Sequence, residues 1–155
     1  MSVLFSLVLV ASVAAASSYR DVKKAVQDDV LLQSAGVTPS EARLREQCSA
    51  AVVETDDPPE FFDCVYVQTE KDLNLFSLED GYLMSELQLT LTNMDGVALQ
   101  HMGKYSQVQI FSGKRVAAFY LHGDRWIDPA RTEAAYRWLT EHGVREHQPR
   151  KWIGP

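Results

Sequence analysis

Residues 82–92 read YLMSELQLTLT, and this stretch decides the fold class of the chain. From Ser85 onward, Leu87, Leu89 and Leu91 alternate with Glu, Gln and Thr residues. A repeat of two residues is typical of a β-strand that has one face on a core and the other in water. The stretch therefore predicts a half-buried strand.

Further strands are predicted on both sides of this stretch. The segments with strand-like composition are Phe61–Thr69, Leu73–Leu78, Val97–Met102, Tyr105–Phe111 and Val116–His122. Asn93-Met94-Asp95-Gly96 is typical of a hairpin turn, and Gly123-Asp124 predicts a two-residue hairpin into Arg125-Trp126-Ile127. Because the connections are short, we expect neighbouring strands to run antiparallel.

Three helices are predicted around the strands. The first covers Tyr19–Gln33 and ends at Gly36, a residue suited to a left-handed cap. The second begins with Thr38, Pro39 and Glu41, which match a capping box with proline in the first turn. It would bury Leu44, Cys48, Ala51 and Val52.

The last helix has clear signals at both ends. Asp128 is a capping residue, Pro129 occupies the first helical position and Gly143 follows the last turn. The sequence therefore predicts a helix between Asp128 and Gly143, followed by a polar, basic tail over residues 145–155. We expect one domain, over residues 17–144.

The predicted fold is α+β, with two N-terminal helices, an antiparallel meander of five to seven strands and a C-terminal helix packed on the sheet. In one packing, the helices lie across one face of an open curved sheet, as in cystatin-like or NTF2-like folds. The alternative is a small closed β-barrel plugged by the C-terminal helix. Seven strands followed by a helix that carries Trp138 resemble the pleckstrin-homology-type barrel in outline. The acidic stretch Glu70-Lys71-Asp72 departs from the basic loop that such lipid-binding domains use.

The first sixteen residues, MSVLFSLVLVASVAAA, carry no charge. Their apolar run of about 14 residues ends in small residues and is shorter than the roughly 18 that a membrane span needs. We therefore expect a signal peptide over residues 1–16, cut between Ala16 and Ser17, and a secreted or periplasmic protein. The alternative is a membrane anchor through residues 3–16, because the first basic residues follow the run.

Cys48 and Cys64 are the two cysteines of the chain. In an oxidising compartment an even number of cysteines favours a disulfide bond. Two separate buried thiols are the alternative, since a free cysteine behaves as a small apolar side chain.

The charge balance argues against one class of partner. The net charge is −6 and the isoelectric point is about 5.1, whereas nucleic-acid binding requires clustered basic residues. No phosphate-binding, dinucleotide-binding or zinc-protease motif is present in the sequence, so we predict no cofactor.

Two groups of titratable residues are candidates for chemistry. His122 and Asp124 are close in sequence, and a carboxylate could hold a histidine as a general base. His142 and His147, each preceded by a glutamate, could ligate zinc. Both groups also have ordinary structural explanations, in a turn and at a helix end.

A set of uncharged polar and aromatic residues on the predicted strands is a candidate binding surface. Its members are Gln88, Thr90, Gln107, Gln109, Tyr105 and Phe111. Amides, hydroxyls and rings suit contacts with a protein or a surface component. Membrane contact is expected only through the signal segment or the basic tail, which includes Arg150, Lys151 and Trp152.

Taken together, the sequence predicts an exported small binding domain without catalysis, such as an inhibitor, immunity-type or effector protein. Its expected partner is another protein or a surface component. The alternatives are a minor hydrolase that uses His122 and Asp124, and a carrier of a small hydrophobic ligand.

Overall fold

The computed structural model describes residues 20–54, 57–124 and 126–154. The predicted signal segment, residues 1–16, lies outside them. Helices α1 (residues 20–25) and α2 (Asp29–Ser34) precede the sheet, and α3 (Pro129–Glu141) follows it. The strands are β1 (Leu44–Glu54), β2 (Phe62–Gln68), β3 (Asp72–Glu79), β4 (Tyr82–Thr90), β5 (Gly96–Met102), β6 (Tyr105–Ser112) and β7 (Arg115–Leu121). The predicted α+β class is confirmed.

The helices of the described residues are short. None of them combines the length and hydropathy that a bilayer crossing requires.

All seven strands form one antiparallel sheet in the order β4-β3-β2-β1-β7-β6-β5. The first strand therefore lies in the centre, where it pairs with both β2 and β7. The predicted hairpin at Asp95-Gly96 is wrong, because β4 and β5 do not pair. They are the two edges of the sheet, and residues 91–95, which include a short 3-10 helix over Leu91–Asn93, connect them.

This short connection forces the sheet to curl. Strands lie about 4.8 Å apart, so the edges of a flat seven-stranded sheet would be about 29 Å apart. A connection of five residues reaches about 20 Å at most. The edges must therefore bend toward each other, yet the sheet remains open at β4 and β5. The alternative of a closed barrel, which the pleckstrin-homology-type resemblance also implied, is wrong.

The second predicted helix is also wrong. Pro39–Glu41 forms a single 3-10 turn, the Thr38 side chain makes no capping hydrogen bond, and the chain then enters β1. Cys48, Ala50 and Val52 alternate into the core of the sheet. Both faces of this central strand are covered, so its sequence lacks the polar alternation that marks a half-exposed strand.

The first predicted helix is divided in two. Asp28 interrupts it, because its carboxylate accepts hydrogen bonds from the backbone N–H groups of Val30 (3.0 Å) and Leu31 (3.2 Å) and starts a new helix. The restart changes which residues face inward, so Val30 is 69% exposed and Leu32 is buried.

The last helix is confirmed at both ends. The Asp128 carboxylate accepts a hydrogen bond from the Arg131 backbone N–H (3.1 Å), Pro129 opens the helix, and Gly143 follows it with a φ of +92°.

The curled sheet has two covered faces. Its concave face carries the largest core, to which all seven strands contribute and on which α3 packs through Ala135 and Leu139. On the convex face, α1 and α2 cover β2, β3 and β4 through a second apolar cluster. The C-terminal residues reach a third cluster on β5, β6 and β7, where Ile153 packs.

The predicted disulfide bond joins Cys48 and Cys64. The two residues are direct partners across β1 and β2, their Cα atoms lie 4.8 Å apart, and both are fully buried in the concave core. The bond thus ties the central strand to the half of the sheet that ends at β4.

Reduction of this disulfide should lower the free energy of unfolding by about 3 kcal/mol. The reason is that a closed loop of this size lowers the conformational entropy of the unfolded chain, which raises its free energy by about that amount. Urea unfolding with and without reductant measures the change. A Cys48→Ala/Cys64→Ala variant is the control, since reductant should leave its stability unchanged. Two thiols that react with an alkylating reagent in the native protein would contradict the assignment.

Candidate functional site: the His122 cleft

His122 follows directly after β7, at one end of the sheet. Ile127 pairs with it in an isolated antiparallel bridge, and the Gly123 N–H donates to the Trp126 carbonyl (2.7 Å). The predicted hairpin is therefore a tight turn followed by a single bridge, with residue 125 outside the described residues. A cleft of about 160 Å³ opens beside this turn, between α1 and the start of α3. It is lined by Lys23, Val26, Gln27, Glu46, Gln47, His122, Gly123, Asp124 and Arg131.

A hydrogen-bonded relay holds the His122 ring from the sheet side. Ser49 on β1 pairs with Tyr120 on β7 and with Asp63 on β2, so the side chains near this row share the convex face. The Ser49 hydroxyl lies 2.9 Å from His122 Nε2. The same hydroxyl interacts with the Asp63 carboxyl group on β2 and acts to lower its pKa. The relay thus joins one residue from β1, one from β2 and the residue that follows β7.

The serine hydroxyl in the relay has a single proton to donate. Which of Ser49 and His122 Nε2 donates to the other depends on the tautomer of the ring. In the tautomer with the proton on Nε2, the ring cannot take the serine proton, which is what a nucleophilic serine requires of its histidine. In both tautomers the contact orients the His122 ring.

Three titratable groups around the cleft have shifted pKa values. Burial lowers the pKa of His122 from 6.5 to about 4. Burial raises the pKa of Asp63, and the hydrogen bond from Ser49 opposes that change. Burial also raises the pKa of Glu46, against the attraction of the Arg131 guanidinium. Shifted pKa values concentrate at functional sites in proteins, so this end of the sheet is the strongest candidate in the molecule.

Arg131 forms the wall of the cleft on the α3 side. Its guanidinium lies 2.8 Å from the Glu46 carboxylate and 3.3 Å from that of Asp128. It also donates to the backbone carbonyl of His122 (3.3 Å). These contacts connect the first turn of α3 to β1 and to the end of β7.

Aromatic rings continue from His122 in two directions. Tyr120 lies 5.8 Å from the imidazole on the sheet, and Trp126 lies 4.8 Å from it on the side of the turn. His122 is 2% exposed, whereas Trp126 is 46% exposed. The indole therefore presents apolar surface to solvent next to the buried His122 ring.

The structure brings the two sequence-predicted residues of this site to one cleft, and their catalytic role stays a prediction. His122 and Asp124 line the same cleft, and the Asp124 side chain is exposed. However, the side chain that hydrogen-bonds with His122 Nε2 is that of Ser49. Sequence reasoning missed Ser49, Asp63 and Arg131. Ser49 was missed because its segment was predicted to be a helix. Only the register of β1 as a strand places Ser49 opposite Asp63 on β2 and Tyr120 on β7.

The predicted polar binding set does not form one surface. Gln88 and Thr90 are exposed on edge strand β4, whereas Gln107 and Gln109 lie on β6, on the far side of the central strand. The expectation that the β6 glutamines face water is wrong, since both are fully buried. Tyr105 is half-buried beside Lys104, and Phe111 is buried under the His147 ring at 4.1 Å. A binding role for Gln88 and Thr90 stays a prediction.

The two histidines proposed as metal ligands have separate surroundings. His142 caps α3, where its ring stacks on Trp138 at 4.1 Å and its Nδ1 lies 2.8 Å from the Trp138 carbonyl oxygen. His147 stacks on Phe111 beyond the helix. Within the described ranges, no group of three or more His, Cys, Asp or Glu side chains is placed to share a metal ion.

Comparisons with known proteins do not identify this chain. No protein-family model matches the sequence, and no curated protein does. It is similar to the crystal structure of human RhoA in complex with the DH/PH fragment of PDZRHOGEF, at a TM-score of 0.45 and 12% identity, over 66% of this chain and 28% of that chain. It is also similar to the hSac2 domain from human phosphoinositide phosphatase Sac2, at a TM-score of 0.43 and 12% identity, over 81% of this chain and 90% of that chain. Neither likeness is high enough to carry an argument about function.

The lowered pKa of His122 predicts a pH dependence of stability. The unfolded chain takes up this proton below pH 6.5, whereas the folded chain takes it up only near pH 4. The neutral His122 ring therefore makes its full contribution to the free energy of unfolding above pH 6.5. This contribution is lost as the pH falls toward 4, by about 3 kcal/mol in total. An NMR titration of the imidazole checks the pKa, and urea unfolding between pH 4 and 7 checks the loss.

His122→Gln is the matched control for this measurement, because its amide group does not titrate and can still hydrogen-bond with Ser49. Asp63 and Glu46, whose raised pKa values act in the opposite direction, are present in both proteins. The difference between the two pH profiles therefore isolates His122. Equal slopes in both proteins would contradict the assignment.

Proposed function

We propose that this chain is an exported, disulfide-stabilised binding domain whose protein partner docks at the His122 cleft. The observation that carries the proposal is Trp126, which is 46% exposed and whose ring lies 4.8 Å from that of His122, a residue of the cleft. Tryptophan and arginine are enriched among the residues that dominate binding energy at protein interfaces. Trp126 also rests on the buried His122 ring, so little side-chain freedom remains to be lost on binding.

The charges around the cleft suit selection of a partner. Lys23 and Arg131 lie with Glu46 and Asp124 around the same opening, so its surface presents both signs within a small area. Such a mixed rim favours a partner of complementary pattern and repels others. An inhibitor, immunity-type or effector protein acts through a surface of this kind.

Proton transfer is a weaker explanation of the same geometry. A general base works best when its pKa lies near the working pH, and that of His122 is about 4. The Ser49 hydroxyl is engaged with Asp63. A hydrolase based on His122 and Asp124 therefore remains a hypothesis that needs a change of conformation before catalysis.

The carrier hypothesis has one observation of its own. A groove of about 390 Å³, mainly apolar, runs between the C-terminal residues and the sheet, beside Val53, Pro59 and Val116. Native mass spectrometry of the purified protein separates the two ideas, because a carrier retains a small molecule and a protein-binding domain does not.

Trp126→Ala should weaken partner binding at least about thirtyfold, the effect of removing a residue that dominates an interface. The full-length protein, purified with its partner from its native source, is the reference for this measurement. Tyr82→Ala is the matched control, since Tyr82 is 64% exposed on edge strand β4, away from the cleft, and its loss should leave binding unchanged. Titration calorimetry with the purified partner measures both.

Two outcomes would overturn this proposal. One is equal binding by the Trp126→Ala variant and the wild type. The other is intrinsic hydrolytic turnover by the isolated protein that falls about a hundredfold in His122→Gln, as removal of a general base would cause.

Export predicts a processed N-terminus. Protein recovered from its native location should begin at Ser17, because small residues at positions 14 and 16 suit cleavage after Ala16. Intact mass spectrometry measures the start of the chain and, through a deficit of two hydrogens, the disulfide. Protein that retains residues 1–16 would instead favour the membrane anchor.

A further inference from the structure

The C-terminal segment crosses from one face of the sheet to the other. Beyond α3, the Val97 N–H donates to the Arg145 carbonyl (2.9 Å) and the His147 N–H donates to the Val97 carbonyl (2.8 Å), so the chain covers the β5 edge. It then turns onto the convex face, where residues 150–154 lie across β5, β6 and β7. We call these five residues the strap.

Three glutamine side chains hold the strap by its backbone. The Arg150 carbonyl accepts from Nε2 of Gln100 (2.7 Å) and of Gln109 (3.2 Å), and the Arg150 N–H donates to Gln109 Oε1 (2.8 Å). At the other end, the Ile153 carbonyl accepts from Gln107 Nε2 (2.7 Å) and the Ile153 N–H donates to Gln107 Oε1 (3.1 Å). The recognition is therefore directed at the main chain.

The strap also makes apolar contacts with the convex face of the sheet. Ile153 packs on Phe111, Ala98 and Val116, and the Trp152 ring lies 6.2 Å from that of Tyr120. Gly154 has a φ of +100° and lies so close to Phe61 that an added Cβ would overlap the ring. The sequence of the strap is thus matched to the surface beneath it.

We propose that this face is a peptide-binding groove, which the strap fills in cis and which also takes an extended peptide of the same pattern in trans. Gln107 and Gln109 are fully buried, and both hydrogen-bond the backbone of the strap that lies over them. They stand on β6, between two paired strands, so the groove is already shaped before a peptide arrives.

The strap is also placed to exchange with a competitor. Exposed Gln148 and Pro149 connect it to the β5 edge, and its two apolar anchors, Trp152 and Ile153, are only partly buried. A segment held in this way opens more readily than the core of the sheet. The expected ligand has a basic residue, an aromatic residue, a β-branched residue and glycine in the order of RKWIG. The groove beside the strap and the His122 cleft share no lining residue, so either proposal can fail alone.

A labelled peptide with the sequence of residues 148–154, QPRKWIG, tests the proposal by fluorescence anisotropy. The receptor is the full chain with Trp152→Ala and Ile153→Ala, which weaken the strap in cis. We expect the peptide to bind this variant at least about tenfold more tightly than it binds the wild type, because a tethered competitor acts at an effective concentration in the millimolar range.

Two controls report on the mode of binding. A peptide N-methylated at the nitrogens of its Arg and Ile residues loses both donors to the glutamines, and should bind about tenfold more weakly or worse. On the receptor, Gln109→Leu should abolish binding while Gln88→Leu, on exposed β4, leaves it unchanged. Circular dichroism shows whether each variant is folded.

The proposal is overturned if the folded, strap-weakened chain does not bind the peptide. It is also overturned if the N-methylated peptide binds as well as the unmodified one. The methylated peptide tests main-chain recognition even where Gln109→Leu fails to fold.

Discussion

The pairing of β1 with both β2 and β7 is the constraint on which the rest of the structure depends. Side chains alternate along this strand, so Cys48 points into the concave core and Ser49 lies on the convex face. A slip of one residue in either pairing would exchange these faces. The disulfide bond and the His122 relay would then both be lost. The core and the candidate site are therefore fixed by the same register.

The relay concentrates the cost of polar burial at one end of the sheet. His122, Asp63 and Glu46 all lose hydration there, and each has a pKa shifted toward its neutral form. The ion pair between Arg131 and Glu46 offsets part of that cost. Such a cluster is expensive for stability alone, which is consistent with selection for the surface that it supports.

Much of the fold could be predicted from the sequence, but the centre of the sheet could not. The alternation of Leu87 and Leu89 with polar residues correctly predicted β4. The capping residue Asp128 and the terminal Gly143 correctly predicted α3. The strand that contains Ser49 could not be recognised, because both of its faces are covered. Its sequence therefore lacks the alternation of apolar and polar residues that marks a half-exposed strand. The same error separated Ser49 from His122, and no local pattern could restore a contact across 73 residues. The strap was missed for a related reason. A glutamine that faces solvent and a glutamine that hydrogen-bonds an overlying backbone give the same pattern in the sequence.

The position of β1 also sets an order of assembly. Its partner β2 is near in sequence, and the two cysteines are only 16 residues apart, so this hairpin can close early. Its other partner, β7, has to await synthesis of most of the chain, and long-range pairing of this kind is slow. In a chain that enters an oxidising compartment N-terminus first, the sulfur–sulfur bond can thus form while the central strand still has one open edge. Until β7 arrives, that edge is where an unfinished molecule would meet its neighbours or a chaperone.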